Sequence, residues 1–233
     1  MISYLQVENI ARRIGDNLLF ENISLNINKD DKVALIAVNG AGKSSLLEIL
    51  AGKESPDAGS LSIKRDLRIA YLQQSPLLNE SNKIIDELFS TDSELVKVIR
   101  EYEECVLSGN HEMLNVMVQR MDDHKAWDYD VAVKQIMFKL KLTDLNAVIG
   151  NLSGGQKKRV ALAKVLVEDS DLLILDEPTN HLDLDMIEWL EEYLMKSNKT
   201  LLMVTHDRYF LDRVCNVILE LSDNEIYRYE GNY

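Results

Sequence analysis

Residues 172–185, LLILDEPTNHLDLD, constrain the fold more than any other stretch of this chain. Leu172 to Leu175 form a continuous apolar run, too short for a helix and bounded by acids. Such a run predicts a strand buried on both faces of a parallel sheet. Asp176 and Glu177 follow, and then Pro178, which cannot continue the ladder of a central strand. The two carboxylates are therefore expected at the carboxyl edge of the sheet, where open α/β folds bind ligands. Neighbouring acids at such an edge repel each other and lack solvation, which suits them to a cation or to accepting a proton. A strand that merely ends in polar residues is the plain alternative, and the rest of the chain weighs against it.

A second feature points to phosphate. Val33 to Val38 (VALIAV) is another fully apolar strand, and Asn39-Gly40-Ala41-Gly42-Lys43-Ser44-Ser45 follows it. A helical pattern with Leu46, Leu47, Ile49 and Leu50 comes next. Strand, glycine-rich turn, Gly-Lys-Ser and helix together make the context of a phosphate-binding P-loop. Glycines let successive backbone N–H groups curl around phosphate oxygens, and the helix N-terminus adds favourable partial charge. Lys43 would meet the β- and γ-phosphates, and the Ser44 hydroxyl would ligate Mg²⁺. The eight-residue pattern begins at Ala37, where glycine is more usual.

The remaining segments frame these two. Residues 2–8 and 18–27 alternate apolar and polar, as half-buried antiparallel strands do, with Gly15-Asp16-Asn17 as a turn between them. Strands are expected at 61–63, 68–72, 200–204, 214–221 and 225–229, and a helix at 186–196. Gln73-Gln74-Ser75-Pro76 breaks the pattern, and residues 82–142 then read as helical. Leu95, Val98, Ile99, Tyr102 and Val106 share one face there, and Met113, Met117 and Met121 mark another. Ser108-Gly109-Asn110 between them predicts a helical hairpin, with a third helix near 129–140. From residue 80 to 130 there are 5 Lys/Arg against 13 Asp/Glu, so most of the net charge of −13 lies here. That balance disfavours broad, sequence-independent DNA binding. Leu152-Ser153-Gly154-Gly155-Gln156 opens another helix with Ser153 as N-cap. A Gly-Gly pair costs helix stability, so a ligand-facing use is expected of it. The 200–204 strand runs into Thr205-His206-Asp207, which places His206 at the same sheet edge as Asp176 and Lys43.

With 233 residues the chain can bury one large core or a core with an inserted subdomain. No apolar run reaches the roughly 20 residues that span a bilayer. The N-terminus has no basic segment leading into an apolar one, so no secretory signal is expected. Two cysteines without metal-ligand spacing predict a reduced, cytoplasmic setting.

These motifs together resemble those of an ATP-binding cassette (ABC) ATPase over essentially the whole length. Residues 37–44 are similar to the Walker A motif, 152–156 to the signature motif, and 172–176 with Glu177 to Walker B. Asn180-His181-Leu182-Asp183 looks like the D-loop, Gln74 like the Q-loop glutamine and His206 like the switch histidine. The wording DEPTNHLD, THDRYFLD and YEGNY resembles the ABC-F family, soluble proteins with two ABC domains in one chain, many acting on ribosomes. The resemblance implies the first of those two domains. Its fold would be an α/β P-loop NTPase core with a mixed, mostly parallel sheet, an N-terminal antiparallel β subdomain and an inserted helical subdomain. Residues 1–78 and 143–233 would form the ATP-binding core, and 79–142 the helical insert with an arm-like hairpin. Where the family usually has an adenine-stacking aromatic, this chain has Ile14.

The resemblance also implies roles. Asn39, Gly40, Ala41, Gly42, Lys43, Ser44 and Ser45 would cradle ATP, with Ser153, Gly154, Gly155, Gln156 and Asp183 contributing across a head-to-tail pair of ABC domains. Ser44, Gln74 and Asp176 would hold Mg²⁺. Glu177 would activate the attacking water, with His206, Gln74 and Lys43 serving the same reaction. The partner would be a second ABC domain, in the same full-length chain or in a second copy, and the ribosome beyond it, with no direct membrane insertion. Two rivals share these motifs: the ATPase subunit of a membrane transporter, and a nucleotide-gated binding module without turnover.

Overall fold

Alternation of apolar and polar residues at the start of the chain builds an antiparallel sheet. The computed structural model describes residues 2–38, 40–90, 94–222 and 224–231. In it β1 (Ser3–Ile14) pairs antiparallel with β2 (Asn17–Asn28). The chain then passes through β3 (Lys32–Ala37) and α1 (Lys43–Leu50) before β4 (Ala58–Ile63) pairs with the other side of β1. The order β2-β1-β4 closes this three-stranded sheet. Alternation along β1 is interrupted most plainly at Asn9. Asn9 adopts φ 50° and the register shifts between Val7 and Ile10, so both apolar residues reach the core across a bulge. Gly59 of β4 lies against that bulge with φ +80°, and a Cβ there would fall 2.4 Å from the backbone of Asn9.

The larger sheet has six strands in the order β5-β6-β7-β3-β8-β9. These add β5 (Ile69–Leu72), β6 (Leu172–Asp176), β7 (Thr200–Val204), β8 (Val217–Ser222) and β9 (Glu225–Glu230) to β3. All pairs are parallel except β8 with β9. Every residue of β6 and β7 is buried, as their unbroken apolar runs require. Alternate residues (Leu172 and Ile174, Leu202 and Val204, Val33 and Leu35) join one cluster with Leu46, Leu47, Ile49 and Leu50 of α1 and Leu5, Phe20 and Ile23 of the smaller sheet. The three-stranded sheet thus packs on the parallel one with α1 in the shared core. Helices α7 (Leu184–Lys196) and α8 (Arg208–Val214) complete this part, capped by the side chains of Asp183 and Asp207. The sequence pattern did not anticipate α8. It is only 7 residues long, with Phe210, Leu211 and Val214 buried, and β8 starts three residues later than expected.

Contact density divides the chain into Met1–Ser75 with Ser170–Tyr233, and Pro76–Asp169. By that measure residues 143–169, assigned to the ATP-binding core from sequence, group with the helices. The second unit contains α2 (Ile84–Leu88), α3 (Glu94–Ser108), α4 (His111–Asp123), α5 (Trp127–Lys139), a 3₁₀ turn at Ile149–Asn151 and α6 (Gly154–Val167). Helices α3 and α4 form the expected hairpin, with Gly109 at φ +66° in the turn and the Asn110 side chain capping α4. Arg120 of α4 pairs with Glu101 and Glu94 of α3. Val98, Ile99, Met117 and Met121 are buried as the pattern predicts, whereas Val106 and Met113 at the hairpin end are exposed and Cys105 is buried in place of Val106. The segments on either side of α3–α5 are fastened together. Backbone N–H groups of Ile84 and Ile85 donate to the carbonyls of Ala147 and Leu145, and those of Ile149 and Gly150 donate to Asn82 and Glu80, at 2.9–3.0 Å. Two ion pairs hold α6 to the same segment: Lys157 to Glu80 at 2.7 Å and Lys164 to the buried Glu87 at 2.6 Å.

Replacement of Gly59 by alanine should destabilise the first unit by at least about 2 kcal/mol, since the left-handed backbone alone costs a side chain about 1–2 kcal/mol and the overlap with Asn9 must also be relieved. A urea denaturation midpoint within error of the parent would show that the β1–β4 pairing tolerates the extra atom.

Candidate nucleotide-binding site

The parallel pairing brings four strand ends side by side. β5, β6, β7 and β3 are consecutive neighbours, and each ends next to a residue singled out from sequence: Gln74, Asp176, His206 and the glycine-rich loop. Register makes the alignment concrete, with Leu72 opposite Leu175 and Asp176 opposite Val204. Between these ends and the β1–β2 hairpin lies an open cleft of about 470 Å³. Ile14, Leu19, Gly40, Gly42, Lys43, Ser44, Ser45, Gln74, Asp176, Glu177 and His206 line it.

The loop geometry follows from its glycines. Gly40 has φ +83° and Gly42 φ +90°, a region that residues with a Cβ rarely enter. Gly42 is the N-cap of α1, and a Cβ there would press on Leu19 at 3.0 Å and Phe20 at 3.1 Å. Leu19, not singled out from the sequence, thus forms the floor under the loop. Ala37 is the last residue of β3 and packs on the core, outside the left-handed stretch, so its methyl is accommodated where glycine is more usual. Ala41 also packs on that core. Asn39 lies outside the described residues. The ammonium of Lys43 donates to the carbonyls of Ala37 at 3.0 Å and Val38 at 3.2 Å, drawing the loop closed over its own lysine.

The acids are set by the strand. Asp176 shares the face of Leu172 and Ile174, the face toward α1, and its Oδ2 accepts a 2.7 Å hydrogen bond from the Ser44 hydroxyl. Glu177 leaves the strand at φ 53°, its N–H donating to the Val204 carbonyl, and its Oε1 lies 3.3 Å from His206 Nε2. Burial raises the pKa of both carboxyls above the ordinary range. The Ser44 hydrogen bond and the charge of Lys43 oppose the rise at Asp176, and His206 opposes it at Glu177, where the Asp176 charge adds to it. Thr205 and Thr179 share a hydroxyl–hydroxyl hydrogen bond of 3.1 Å that ties the two strand-end loops together.

Ser44, Asp176 and Gln74 offer a hydroxyl, a carboxylate and an amide, hard oxygen donors of the kind Mg²⁺ takes. Among the described residues no cluster of three His, Cys, Asp or Glu side chains could hold a metal without help. The donor set therefore fits Mg²⁺ held together with phosphate oxygens and water, its usual arrangement at nucleotide sites.

The other sequence-derived residues lie elsewhere. Asp183 is exposed at the N-cap of α7, its side chain accepting from Met186 N–H at 3.1 Å. Ser153 and Gln156 belong to the helical unit and form a reciprocal capping box: the Ser153 hydroxyl accepts from Gln156 N–H, and Gln156 Oε1 accepts from Ser153 N–H at 2.8 Å. Gly154 has open space where a Cβ would stand. The Ser153 and Gln156 side chains are thus spent on the helix, and the first-turn N–H groups at Gly154 and Gly155 are those left for a ligand.

The family model described as "ABC transporter" matches residues 20–180. The chain belongs to the ABC transporter family. It is 41% identical over 240 residues to the uncharacterized ABC transporter ATP-binding protein YfmR of Bacillus subtilis, covering 100% of this chain and 38% of that protein. It is 37% identical over 227 residues to the energy-dependent translational throttle protein EttA of Escherichia coli K12, covering 92% and 40%. A solved structure described as an ATP-binding subunit of an ABC transporter aligns with TM-score 0.71 and 20% identity over 97% of this chain and 90% of that one, which bears on the fold alone. The chain spans about two fifths of the length of the curated relatives it matches. Among the described residues no helix is long and apolar enough to cross a membrane.

The raised carboxyl pKa values make this ABC site costly to the fold. A carboxyl whose pKa is higher in the folded state binds its proton more tightly there, so stability falls as pH rises through the interval between the unfolded and folded values. Glu177→Gln should therefore melt above the parent at pH 8, with the difference closing near about pH 4, where the unfolded carboxyl is itself protonated. A lower melting temperature for the variant at pH 8 would mean that the His206 contact outweighs the burial cost.

Proposed function

We propose that this chain is an ATP-binding and ATP-hydrolysing ABC domain that works in translation as half of a head-to-tail pair, with the ribosome as its larger partner. One observation carries the catalytic part: Lys43, Ser44, Gln74, Asp176, Glu177 and His206, scattered over 164 positions of sequence, line a single cleft. The similarity to the translational throttle proteins supports the biological part, at 36–37% identity over more than nine tenths of this chain.

In this reading the loop N–H groups from Asn39 to Ser45 receive the β- and γ-phosphates. Lys43 exchanges its carbonyl partners at Ala37 and Val38 for phosphate oxygens, a trade of neutral acceptors for charged ones that favours the bound state. Ile14 and Leu19 give the base end of the cleft apolar contact without a stacking ring. Bound Mg²⁺, held by Ser44, Asp176 and Gln74, would neutralise charge on the phosphate oxygens. Glu177 is the base that orients or deprotonates the attacking water. Its raised pKa moves its basicity toward neutral pH, and the imidazole of His206 lies where it can steady both the carboxylate and the γ-phosphate. Ser153, Gly154, Gly155 and Gln156 of one domain close on the ATP of the other, with Asp183 lying along the same junction. Hydrolysis by this domain alone is correspondingly slow, and ATP binding and release drive closing and opening of the pair.

The test is Glu177→Gln beside Lys43→Ala. The first should lower ATPase activity about 10²–10⁴-fold while retaining ATP and accumulating ATP-dependent pairs in size-exclusion chromatography. The second should lose well over tenfold in nucleotide affinity, because charge-assisted contacts carry about 1.5–3 kcal/mol. Parent-rate hydrolysis by Glu177→Gln would remove Glu177 from the mechanism, and unchanged calorimetric affinity in Lys43→Ala would remove the loop.

A further inference from the structure

Glu177 and His206, proposed above to serve one reaction, are carried by loops that leave neighbouring strands, β6 and β7. Glu177 Oε1 and His206 Nε2 lie 3.3 Å apart, yet the two side chains are held very differently. The Glu177 side chain is 7% exposed and that of His206 is 65% exposed. Packing therefore does little to fix the imidazole, and its position depends on the backbone that carries it.

That backbone is gripped by hydroxyls. Thr205 Oγ1 accepts the N–H of Asp207 at 3.2 Å and so spans His206 from one side to the other. Asp207 is fixed in turn as the N-cap of α8, its side chain accepting from the N–H of Phe210 at 3.1 Å, and Phe210 is fully buried. Thr205 is itself buried, and its second hydrogen bond joins Thr179 Oγ1 at 3.1 Å. A threonine hydroxyl has one proton and two lone pairs, so it can serve both partners at once. Thr179 stands two residues beyond Glu177, and its carbonyl accepts the N–H of Leu182 at 3.2 Å in the turn that follows. The two loops are thus joined twice: through the backbone, where the Glu177 N–H donates to the Val204 carbonyl at 2.8 Å, and through the pair of hydroxyls. A single link leaves a pivot, whereas two links fix the relative orientation of the loops that carry Glu177 and His206.

Resting on the ATPase reading above, we infer that Thr179 and Thr205 are positioning residues for hydrolysis, their hydroxyl–hydroxyl bond holding His206 against Glu177 so that imidazole and carboxylate address the same phosphate and water. Neither threonine is among the described residues that line the cleft, so the bond acts through the geometry of the pair and not on the nucleotide. Such geometry matters steeply, since misplacing a reacting group by about 1 Å can cost about 10²-fold in rate. The plain alternative is a buried hydroxyl that has merely found a partner. Its loss would be felt in stability and not selectively in the rate of chemistry.

Steady-state ATPase kinetics at one fixed protein concentration, beside calorimetric ADP affinity and circular dichroism, test the assignment. Thr179→Val keeps the shape of the side chain and removes its hydroxyl. In that variant kcat should fall about 10–100-fold, with KM and ADP affinity within about twofold of the parent. Thr179→Ser keeps the hydroxyl and should retain kcat to within about threefold. Thr205→Val removes the same bond from the other side, and the double variant should be no slower than Thr205→Val alone, because the bond can be lost only once. Parent kcat in Thr179→Val would overturn the proposal. Equal losses in Thr179→Val and Thr179→Ser, or a loss of ADP affinity as large as the loss of kcat, would overturn it in favour of packing alone. Failure of the ATPase reading would be seen separately, in the parent, as an absence of ADP binding or of hydrolysis.

Discussion

Four parallel strands paired in register, the central two buried on both faces, set the position of the ionisable groups in the cleft. Strand register is specified strongly where both faces are buried, because a one-residue slip would exchange the residues facing α1 for those facing the opposite side. Asp176 meets Ser44 because Leu172 and Ile174 already face α1, and the next alternate position must do the same. Glu177, one residue on, turns out of the strand toward the end of β7. The separation of two adjacent acids into two environments is therefore a consequence of the period of the strand, ended by Pro178.

The same arrangement concentrates charge where a ligand can meet it. The loop after β3 carries two left-handed glycines and folds its lysine back on its own carbonyls. The strand after Ile174 buries a carboxylate whose partner is a neutral hydroxyl. The lysine folded on neutral carbonyls and the buried carboxylate are local choices that a ligand would improve, and such exceptions are expected at functional sites.

Much of this was legible in the residues. The apolar runs at 172–175 and 200–204 are long enough to demand burial on both sides and too short to be helices, so the central strands could be located closely. The phosphate loop was legible because its function demands particular backbone angles, and glycine is the residue that supplies them. What escaped had no such demand behind it. Helix α8 is shorter than two full turns and carries its apolar residues at 210, 211 and 214, too few to establish a period. Leu19 looked like any inward residue of an alternating strand, and only its approach to Gly42 gives it a place at the site. The capping box at Ser153 and Gln156 was half visible: the N-cap could be read, while the reciprocal bond from Gln156 competes with the ligand-facing use expected of that side chain.

The fastening of residues 80–85 to residues 145–150 has a consequence for how such a chain can diversify. With entry and exit pinned to each other by backbone hydrogen bonds and by the ion pairs of α6, the segment between them is a closed parenthesis. Inside it, the acidic hairpin of α3 and α4 can lengthen, shorten or be exchanged without breaking the bonds that join the two ends. Insertions are tolerated best where the two ends already lie together. The hairpin is thus a replaceable attachment, and closely similar chains are free to differ most in its reach and surface charge.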